Sequence, residues 1–102
     1  MNPVVKAPQA LAEILEAALY IAEDDPAAGA EFIDKVEETC ALLSTQPEMG
    51  THYRSANPAV RDIRFVNVQK FWKFLIFYRV HDGTVEILRV LHGARDIPFL
   101  LP

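Results

Sequence analysis

The segment that decides the fold is KFLIFYRVHDGTVEILRVL, which runs from Lys73 to Leu91. Its first part, KFLIFYRV, is a nearly continuous apolar run of strongly β-prone residues, which is typical of a buried strand. HDGT follows, and it contains the Asp82-Gly83 pair that is favoured in tight hairpin turns. VEILRVL then reads as the returning strand. The sequence therefore predicts a tight antiparallel hairpin in this segment.

A third strand is predicted just before this hairpin. VRDIRFVNV, from Val60 to Val68, alternates, with Ile63 and Phe65 on one face and Arg64 and Val66 on the other. The preceding stretch, Ser44 to Pro58, is rich in turn-forming residues and has no helical or strand period. We therefore expect a loop there, followed by a three-stranded antiparallel meander.

The first half of the chain has the pattern of two helices. Residues Pro3 to Lys6 form a short apolar start that suits a strand, and Pro8 suits the first turn of a helix. Apolar residues then recur at helical spacing as far as about Glu23. The members of this first apolar stripe are Leu11, Ile14, Leu15, Ala18 and Ile21.

The second helix begins after EDDP, because Asp25 is a good helix cap and Pro26 a good first-turn residue. So short a connection predicts an antiparallel helical hairpin. The complete expectation is a single α+β domain over residues 1–102, with a strand, the helical hairpin and the meander against which the helices pack. The apolar stripe of the second helix is Phe32, Ile33, Val36, Cys40 and Leu43.

The charge balance argues against a protein that binds phosphates over its whole surface. The chain has 14 acidic and 10 basic residues and a net charge of −4 at pH 7, whereas binding to a phosphate backbone gains affinity from concentrated lysine and arginine. The acidic residues crowd the first half, whereas the arginines all lie in the second. This asymmetry indicates two faces, of which only the arginine-bearing one suits an acidic partner.

Composition also limits the compartment and the chemistry. No apolar run approaches the roughly 20 residues that span a bilayer. The start MNPVVKAPQ lacks the charged and apolar blocks of a signal peptide. We therefore expect a cytoplasmic protein without membrane contact. The single cysteine, Cys40, lies on an apolar helical stripe and is expected to pack in the core. No Cys/His spacing resembles a zinc site, so we expect neither a metal nor another cofactor.

In their order and spacing, four stretches resemble the RelE/ParE family of bacterial toxins from type II toxin–antitoxin systems. They are ALYIAEDDPAAGAEFIDKVEETCALLSTQPEMG, VRDIRFV, KFLIFYRV and VEILRVLHGARDI, and together they cover most of the chain. The combination of PEMG, LIFYR and RVLHGARD resembles the ParE-like branch more than the ribonuclease branch. The resemblance implies a RelE/ParE-like fold.

The resemblance also implies partners. A ParD-like antitoxin would neutralise the toxin by wrapping an extended or helical segment over apolar grooves on the helical hairpin and sheet. The two proteins would form a hetero-oligomer, and operator DNA would be bound only through the antitoxin. ParE-like members inhibit DNA gyrase by binding, which is the function we expect. The alternatives are a ribosome-dependent messenger RNA endonuclease, as in RelE-like members, and a non-toxic member that keeps antitoxin binding.

The endonuclease alternative has candidate catalytic residues. RNA cleavage through the 2′-hydroxyl needs a base, an acid and cations near the phosphate. Arg64 and Arg95 can supply cations, and His92 can move a proton. The final segment, DIPFLLP, lacks the tyrosine or histidine that ribonuclease members usually carry there, which argues against the endonuclease. Inhibition of gyrase by binding requires no catalytic residue in the toxin. In the structural interpretation, His92 holds the turn after the last strand and Arg95 pairs with Asp96.

The candidate binding residues are arginines of the second half and one tryptophan. Guanidinium groups bind carboxylates with two parallel hydrogen bonds. Arg79 and Arg89 would share an electropositive sheet face if the hairpin is tight, although ordinary solvated surface is the alternative. Phe71 and Trp72 lie in a long connection between strands, where such side chains either cover the edge of the core or, if they are exposed beside Lys70 and Lys73, mark a partner contact. The target- or antitoxin-binding candidates are Arg61, Arg64, Arg79, Arg89, Arg95 and Trp72.

Overall fold

The Lys73 to Leu91 segment forms the hairpin that its sequence predicts. In the computed structural model, which describes residues 1–95 and 97–101, strand β4 spans Phe74–His81 and β5 spans Thr84–His92. Asp82 and Gly83 form the two-residue turn with φ angles of 49° and 76°. Positive φ at both positions is the geometry of a type I′ turn, whose twist matches that of the paired strands.

The sheet is larger than the predicted meander. Strands β1 (Val4–Lys6), β2 (Thr51–His52) and β3 (Arg64–Asn67) join the hairpin in a five-stranded sheet of order β1-β5-β4-β3-β2. Strands β2 to β5 pair antiparallel in a four-stranded meander, and β1 pairs in parallel with β5. The segment predicted as a plain loop thus contains β2, which at two residues is too short to show a strand period.

The first half forms the predicted helical hairpin. Helix α1 spans Pro8–Asp24 and α2 spans Pro26–Thr45, so the second helix includes the first two residues of the predicted loop. Asp25 caps α2, because its Oδ1 accepts a hydrogen bond from the backbone N of Ala28 at 3.3 Å. The helices approach so closely that a Cβ on Gly29 would lie 2.7 Å from the carbonyl oxygen of Ala18.

Two hydrophobic clusters lie on opposite faces of the sheet. The first is formed with the helices and includes Phe32, Ile76 and Tyr78. The second includes Phe77 and is covered by the segment before β3, by the short helix α3 (Ile97–Leu100) and by Leu101. The alternation predicted for the third strand is confirmed, since Ile63 and Phe65 both belong to the second cluster and Val66 to the first.

The predicted apolar stripe of α1 is partly wrong. Leu11 and Leu15 were expected in the core, but they are 53% and 55% exposed, and Leu19 is 61% exposed. The core side of α1 is formed by Ala10, Ile14 and Ala18. Small residues face the neighbouring helix because the hairpin is packed closely, which turns the leucines outward. We call Leu11, Leu15 and Leu19 the leucine stripe.

Tyr78 connects the sheet to the segment that follows α2. Its side chain is fully buried, as its strand position predicts, and its hydroxyl donates to the carbonyl of Pro47 at 2.8 Å and accepts from the backbone N of Gly50 at 2.9 Å. Burial raises the pKa of the Tyr78 hydroxyl above its ordinary value, an effect that the Gly50 hydrogen bond partly opposes. The hydroxyl therefore stays protonated and holds this segment against the sheet.

Candidate functional site

His92 ends β5 and holds the turn that follows it. Its Nδ1 accepts a hydrogen bond from the backbone N of Ala94 at 3.0 Å, and its ring meets Phe74 edge-on with centroids 5.1 Å apart. These contacts agree with the structural interpretation of His92. Arg95 is exposed in the same turn. The expected ion pair between Arg95 and Asp96 lies outside the described residues.

Arg89 is held by a carboxylate from α1. Its Nη2 lies 2.7 Å from Glu13 Oε2, and the two side chains are only 13% and 15% exposed. Glu13 Oε1 also accepts a hydrogen bond from the backbone N of Val90 at 2.9 Å. The β1–β5 pairing ends at Lys6 opposite Ile87, so Glu13 satisfies a strand-edge N–H that β1 no longer reaches. Glu13 was not predicted, since its position reads as an ordinary polar site on an amphipathic helix.

Arg79 and Arg89 do not form the open electropositive patch that their positions suggested. The β4–β5 register shifts between Phe77 and Tyr78, as in a β-bulge, which gives β5 an extra residue. Arg79 lies opposite Glu86, and its Nε is buried without a hydrogen-bond partner in the described part of the chain. Arg89 is paired with Glu13 and Arg79 is half-buried, so the two guanidinium groups do not form an open surface.

Arg64 is separated from the end of β5. Its Nη1 donates to the carbonyls of Glu48 at 3.0 Å and Gly50 at 2.9 Å, which fixes the segment after α2. Arg64 pairs with Tyr78, whereas His92 pairs with Phe74, four residues away along β4. That separation is about 13 Å along a strand. The structure therefore brings His92 and Arg95 together but leaves Arg64 apart.

Arg61 also lies away from the end of β5, in the turn that precedes β3, where its side chain is exposed. Arg61 is not among the residues that line the two surface grooves beside His92.

Trp72 is exposed on the hydrogen-bonded connection between β3 and β4. Its side chain is 64% exposed. Asn67 Nδ2 donates to the carbonyl of Trp72 at 2.6 Å, and the backbone N of Gly93 donates to the carbonyl of Lys73 at 2.7 Å. Lys70 has a φ of 70° and pairs with Glu31 at 2.6 Å. Such a hydrogen-bonded connection holds the indole in place at little further entropic cost on binding.

Phe71, in the same connection, covers the edge of the core. Its ring packs edge-on against Phe32, with centroids 5.3 Å apart.

Two adjoining grooves meet at the end of the sheet. One, of about 500 Å³, lies between α1 and β5; the other, of about 330 Å³, lies under the β3–β4 connection. Both are lined by Phe74 and His92, so they form one continuous surface, which we call the aromatic groove. Its exposed side chains include the cation of Arg95, the carboxylate of Glu16 and the aromatic rings of Tyr20 and Trp72. The residues that define it are Glu16, Tyr20, Trp72, Phe74, His92 and Arg95.

Two of the groove's side chains are already hydrogen-bonded within the fold. The Nδ1 of His92 is already a hydrogen-bond acceptor within the turn, and Glu13, which also lines the groove, is already paired with Arg89. Cys40 is remote in the core, where burial raises the pKa of its thiol to about 11, so it remains an unreactive thiol. Within residues 1–95 and 97–101, three or more metal-ligating side chains nowhere cluster.

No helix in the described part of the chain has the length and apolar character needed to cross a membrane.

Comparison with known proteins agrees with this architecture. The family described as "ParE toxin of type II toxin-antitoxin system, parDE" matches residues 4–97. A solved structure described as the chromosomal ParDE TA system from P. aeruginosa is similar over 90% of this chain and 96% of that chain, with a TM-score of 0.69 and 21% sequence identity. At that identity the structural likeness concerns the fold. No curated protein matches the chain.

Proposed function

Since the chain belongs to the ParE toxin family of type II toxin–antitoxin systems, we propose that it inhibits DNA gyrase by binding it and is neutralised by a ParD-like antitoxin. The observation that carries this proposal is the aromatic groove, where an exposed tryptophan and an exposed arginine flank a half-buried histidine. Tryptophan and arginine are the residues most enriched among energetically dominant interface contacts.

A binding mechanism needs shape and charge but no proton transfer by the toxin. Trp72 would insert between apolar groups of the target, and Arg95 would bind a carboxylate at the rim with two hydrogen bonds. Trp72 sits on a hydrogen-bonded connection and His92 is tied into its own turn. Little further ordering would then be required on binding, so more of the contact energy appears as affinity.

The antitoxin would cover the same groove. Lys73 and Arg95 are exposed there and have no ion-pair partner within residues 1–95 and 97–101. An acidic, partly apolar antitoxin segment therefore fits the groove and would exclude gyrase by direct competition. The toxin and antitoxin would form a hetero-oligomer in the cytoplasm, where gyrase acts. Operator DNA would contact the antitoxin, because the toxin's net charge is −4 and Arg64 and Arg89 are already held by contacts within the fold.

The decisive experiment is a supercoiling assay with purified gyrase and antitoxin-free protein. We expect loss of supercoiling and accumulation of cleaved DNA, both relieved by the antitoxin. Trp72→Ala should raise the half-inhibitory concentration about 30-fold or more, as for a typical hot-spot residue, and Arg95→Ala should raise it less. Arg54→Ala is the matched control, because Arg54 is exposed and does not line the groove. Absence of inhibition at high excess would contradict the proposal.

Messenger RNA cleavage is retained as a second candidate for one reason: His92, Arg95, Glu16 and Tyr20 line the same space of about 500 Å³. Incubation with programmed ribosomes separates the two functions. Cleavage that disappears in a His92→Gln/Arg95→Gln double variant would support the endonuclease. Inhibited gyrase with intact messenger RNA would support binding. A protein that binds antitoxin but affects neither system would be the non-toxic family member.

A further inference from the structure

We propose that Asn67 is a positioning residue for Trp72 and holds the indole in the orientation that the target meets. Asn67 is the last residue of β3, and its Nδ2 donates to the carbonyl of Trp72 at 2.6 Å across the β3–β4 connection. A carbonyl only accepts, so the amide nitrogen of Asn67, and not its oxygen, makes this contact. The inference rests on the proposed inhibition of gyrase, because it names a residue that makes the Trp72 contact effective.

The indole of Trp72 has little packing of its own to hold it. Its side chain is 64% exposed, and it makes none of the ring–ring contacts found within residues 1–95 and 97–101. The neighbouring Phe71 differs, since its ring packs against Phe32 of the core. The direction in which the indole leaves the connection is therefore set mainly by the backbone of Trp72.

That backbone is tied to the fold on both sides of the tryptophan. On one side, the ring of Phe71 is anchored in the core, and its carbonyl accepts from the backbone N of Phe74 at 2.9 Å. On the other side, the carbonyl of Lys73 accepts from the backbone N of Gly93 at 2.7 Å. The carbonyl of Trp72 lies between these two anchors and is held by Asn67. Loss of the Asn67 bond would free the peptide group that joins Trp72 to Lys73.

The connection also contains a strained residue that needs restraint. Lys70 has a φ of 70°, a left-handed conformation that residues other than glycine rarely adopt and that persists only where the surrounding structure holds it. Its ion pair with Glu31 lies at the surface, and exposed ion pairs contribute little to stability. We therefore assign the restraint to the hydrogen bonds of the connection, among which the bond from Asn67 is the one nearest the indole.

Positioning matters for binding because an anchor that is already ordered loses less freedom when it binds. Ordering one mobile side chain at an interface weakens affinity by roughly threefold to tenfold. Asn67 itself is exposed and makes its contact at the surface, so its substitution should leave the fold largely intact. The role of Asn67 therefore predicts a loss of affinity without a matching loss of stability.

The test replaces Asn67 by a residue of the same size that cannot donate. In Asn67→Asp the amide becomes a carboxylate, which only accepts. Trp72 is the single tryptophan of the chain, so the time-resolved anisotropy of intrinsic fluorescence reports on this side chain alone. We expect the native decay to follow the tumbling of the whole molecule, and a fast component of at least about twice its native share in the variant. The half-inhibitory concentration for gyrase should rise about threefold to tenfold.

Two comparisons separate positioning from a general structural effect. Tyr53→Phe removes a bond of the same kind, from a side chain to the carbonyl of Leu101, within the second hydrophobic cluster. It should change neither the anisotropy of Trp72 nor the inhibition of gyrase. A double-mutant cycle supplies the second comparison. Because Asn67 acts through Trp72, adding Asn67→Asp to Trp72→Ala should raise the half-inhibitory concentration by less than about twofold further.

Three results would overturn the proposal. These are a native-like anisotropy decay in Asn67→Asp, an unchanged half-inhibitory concentration although the native protein inhibits gyrase, and a full additional effect of Asn67→Asp in the Trp72→Ala protein. The last result would mean that Asn67 contacts the target directly. A native protein that leaves gyrase active would contradict the proposed function instead, and the anisotropy would still decide whether Asn67 holds the indole.

Discussion

Glu13 completes the edge of the sheet at the point where β1 ends. One oxygen accepts the backbone N–H of Val90, and the other binds the guanidinium of Arg89. Arg89 in turn donates to the carbonyl of Leu100, so one ionic contact connects α1, β5 and the last described residues. Both side chains are mostly buried, where an unpaired charge is strongly unfavourable. Arg89 therefore acts as a structural connector.

Substitution of Glu13 should destabilise the fold. Glu13→Ala leaves the Arg89 guanidinium without its carboxylate and the Val90 N–H without an acceptor, so we expect a loss of about 3 kcal/mol in the free energy of unfolding. Urea denaturation followed by circular dichroism measures it. Glu16→Ala is the control, since Glu16 is exposed and unpaired in the described chain, and it should change stability by less than about 0.5 kcal/mol. Equal midpoints for both variants would contradict this role.

Single residues were predictable only in part. Tyr78 is buried, as expected for the apolar run KFLIFYRV, whereas His92 had two interpretations, and its hydrogen bond from the backbone N of Ala94 agrees with the structural one. Leu11 was misplaced because neighbouring stripes of α1 have the same helical period, and only packing against α2 decides which of them is buried. The role of Glu13 depends on where another strand ends, and no local pattern contains that information.

At the scale of elements, the spacing between the two helices is set by one small residue. A Cβ on Gly29 would lie 2.7 Å from both the Ala18 carbonyl oxygen and the Ala22 Cβ. Backbone atoms cannot move aside as a flexible side-chain end can. The close approach fixes α2 against α1 and so fixes which face of α1 reaches the sheet.

Gly29→Ala should destabilise the protein even though alanine is the better helix former. Intrinsic propensity favours alanine by about 1 kcal/mol, but overpacking at a closed contact typically destabilises by about 1–3 kcal/mol. We therefore expect a net loss, together with changed amide shifts along both helices. Ala30→Gly, at an exposed position of the same helix, is the matched control and should show only the propensity effect, with local shift changes. A more stable Gly29→Ala protein would refute the close approach.

Elements were predictable in proportion to their length. The helices and the long hairpin have enough residues to show their period, and Asp25 and the Asp82-Gly83 pair mark their ends. Strand β2 has two residues and exists because β3 offers it a partner. The register shift in the β4–β5 pair, between Phe77 and Tyr78, has no signal in the local sequence pattern.

At the scale of the whole molecule, two hydrophobic clusters share one sheet. The second cluster is closed by residues after β5, where Leu101 is buried and its carbonyl accepts a hydrogen bond from the Tyr53 hydroxyl at 2.8 Å. The apolar segment IPFLL was predicted only as a region without catalytic residues. Ile97, Leu100 and Leu101 of this segment pack on the outer face of the sheet, which would otherwise expose Phe77 and Leu91.

Leu101→Ala should open this second cluster. Removing the buried side chain is expected to lower the free energy of unfolding by about 2–3 kcal/mol, with a smaller loss of about 1 kcal/mol for Tyr53→Phe. Thermal unfolding reports both, and Met49→Ala, at an exposed position, serves as the control. If Leu101→Ala melts like the native protein, the end of the chain does not contribute to the core.

The parallel pairing of β1 with β5 affects how the protein is made. Val4 pairs with Val85, so the sheet is complete only after β5 has been synthesised. Strand β5 also lies between β1 and the other strands of the sheet. During synthesis the helical hairpin can form early because its contacts are local, whereas the sheet requires contacts that are distant in sequence and slow to form. The aromatic groove needs both α1 and the end of β5. The nascent chain therefore cannot form the aromatic groove until Arg95 has been synthesised and has left the ribosome.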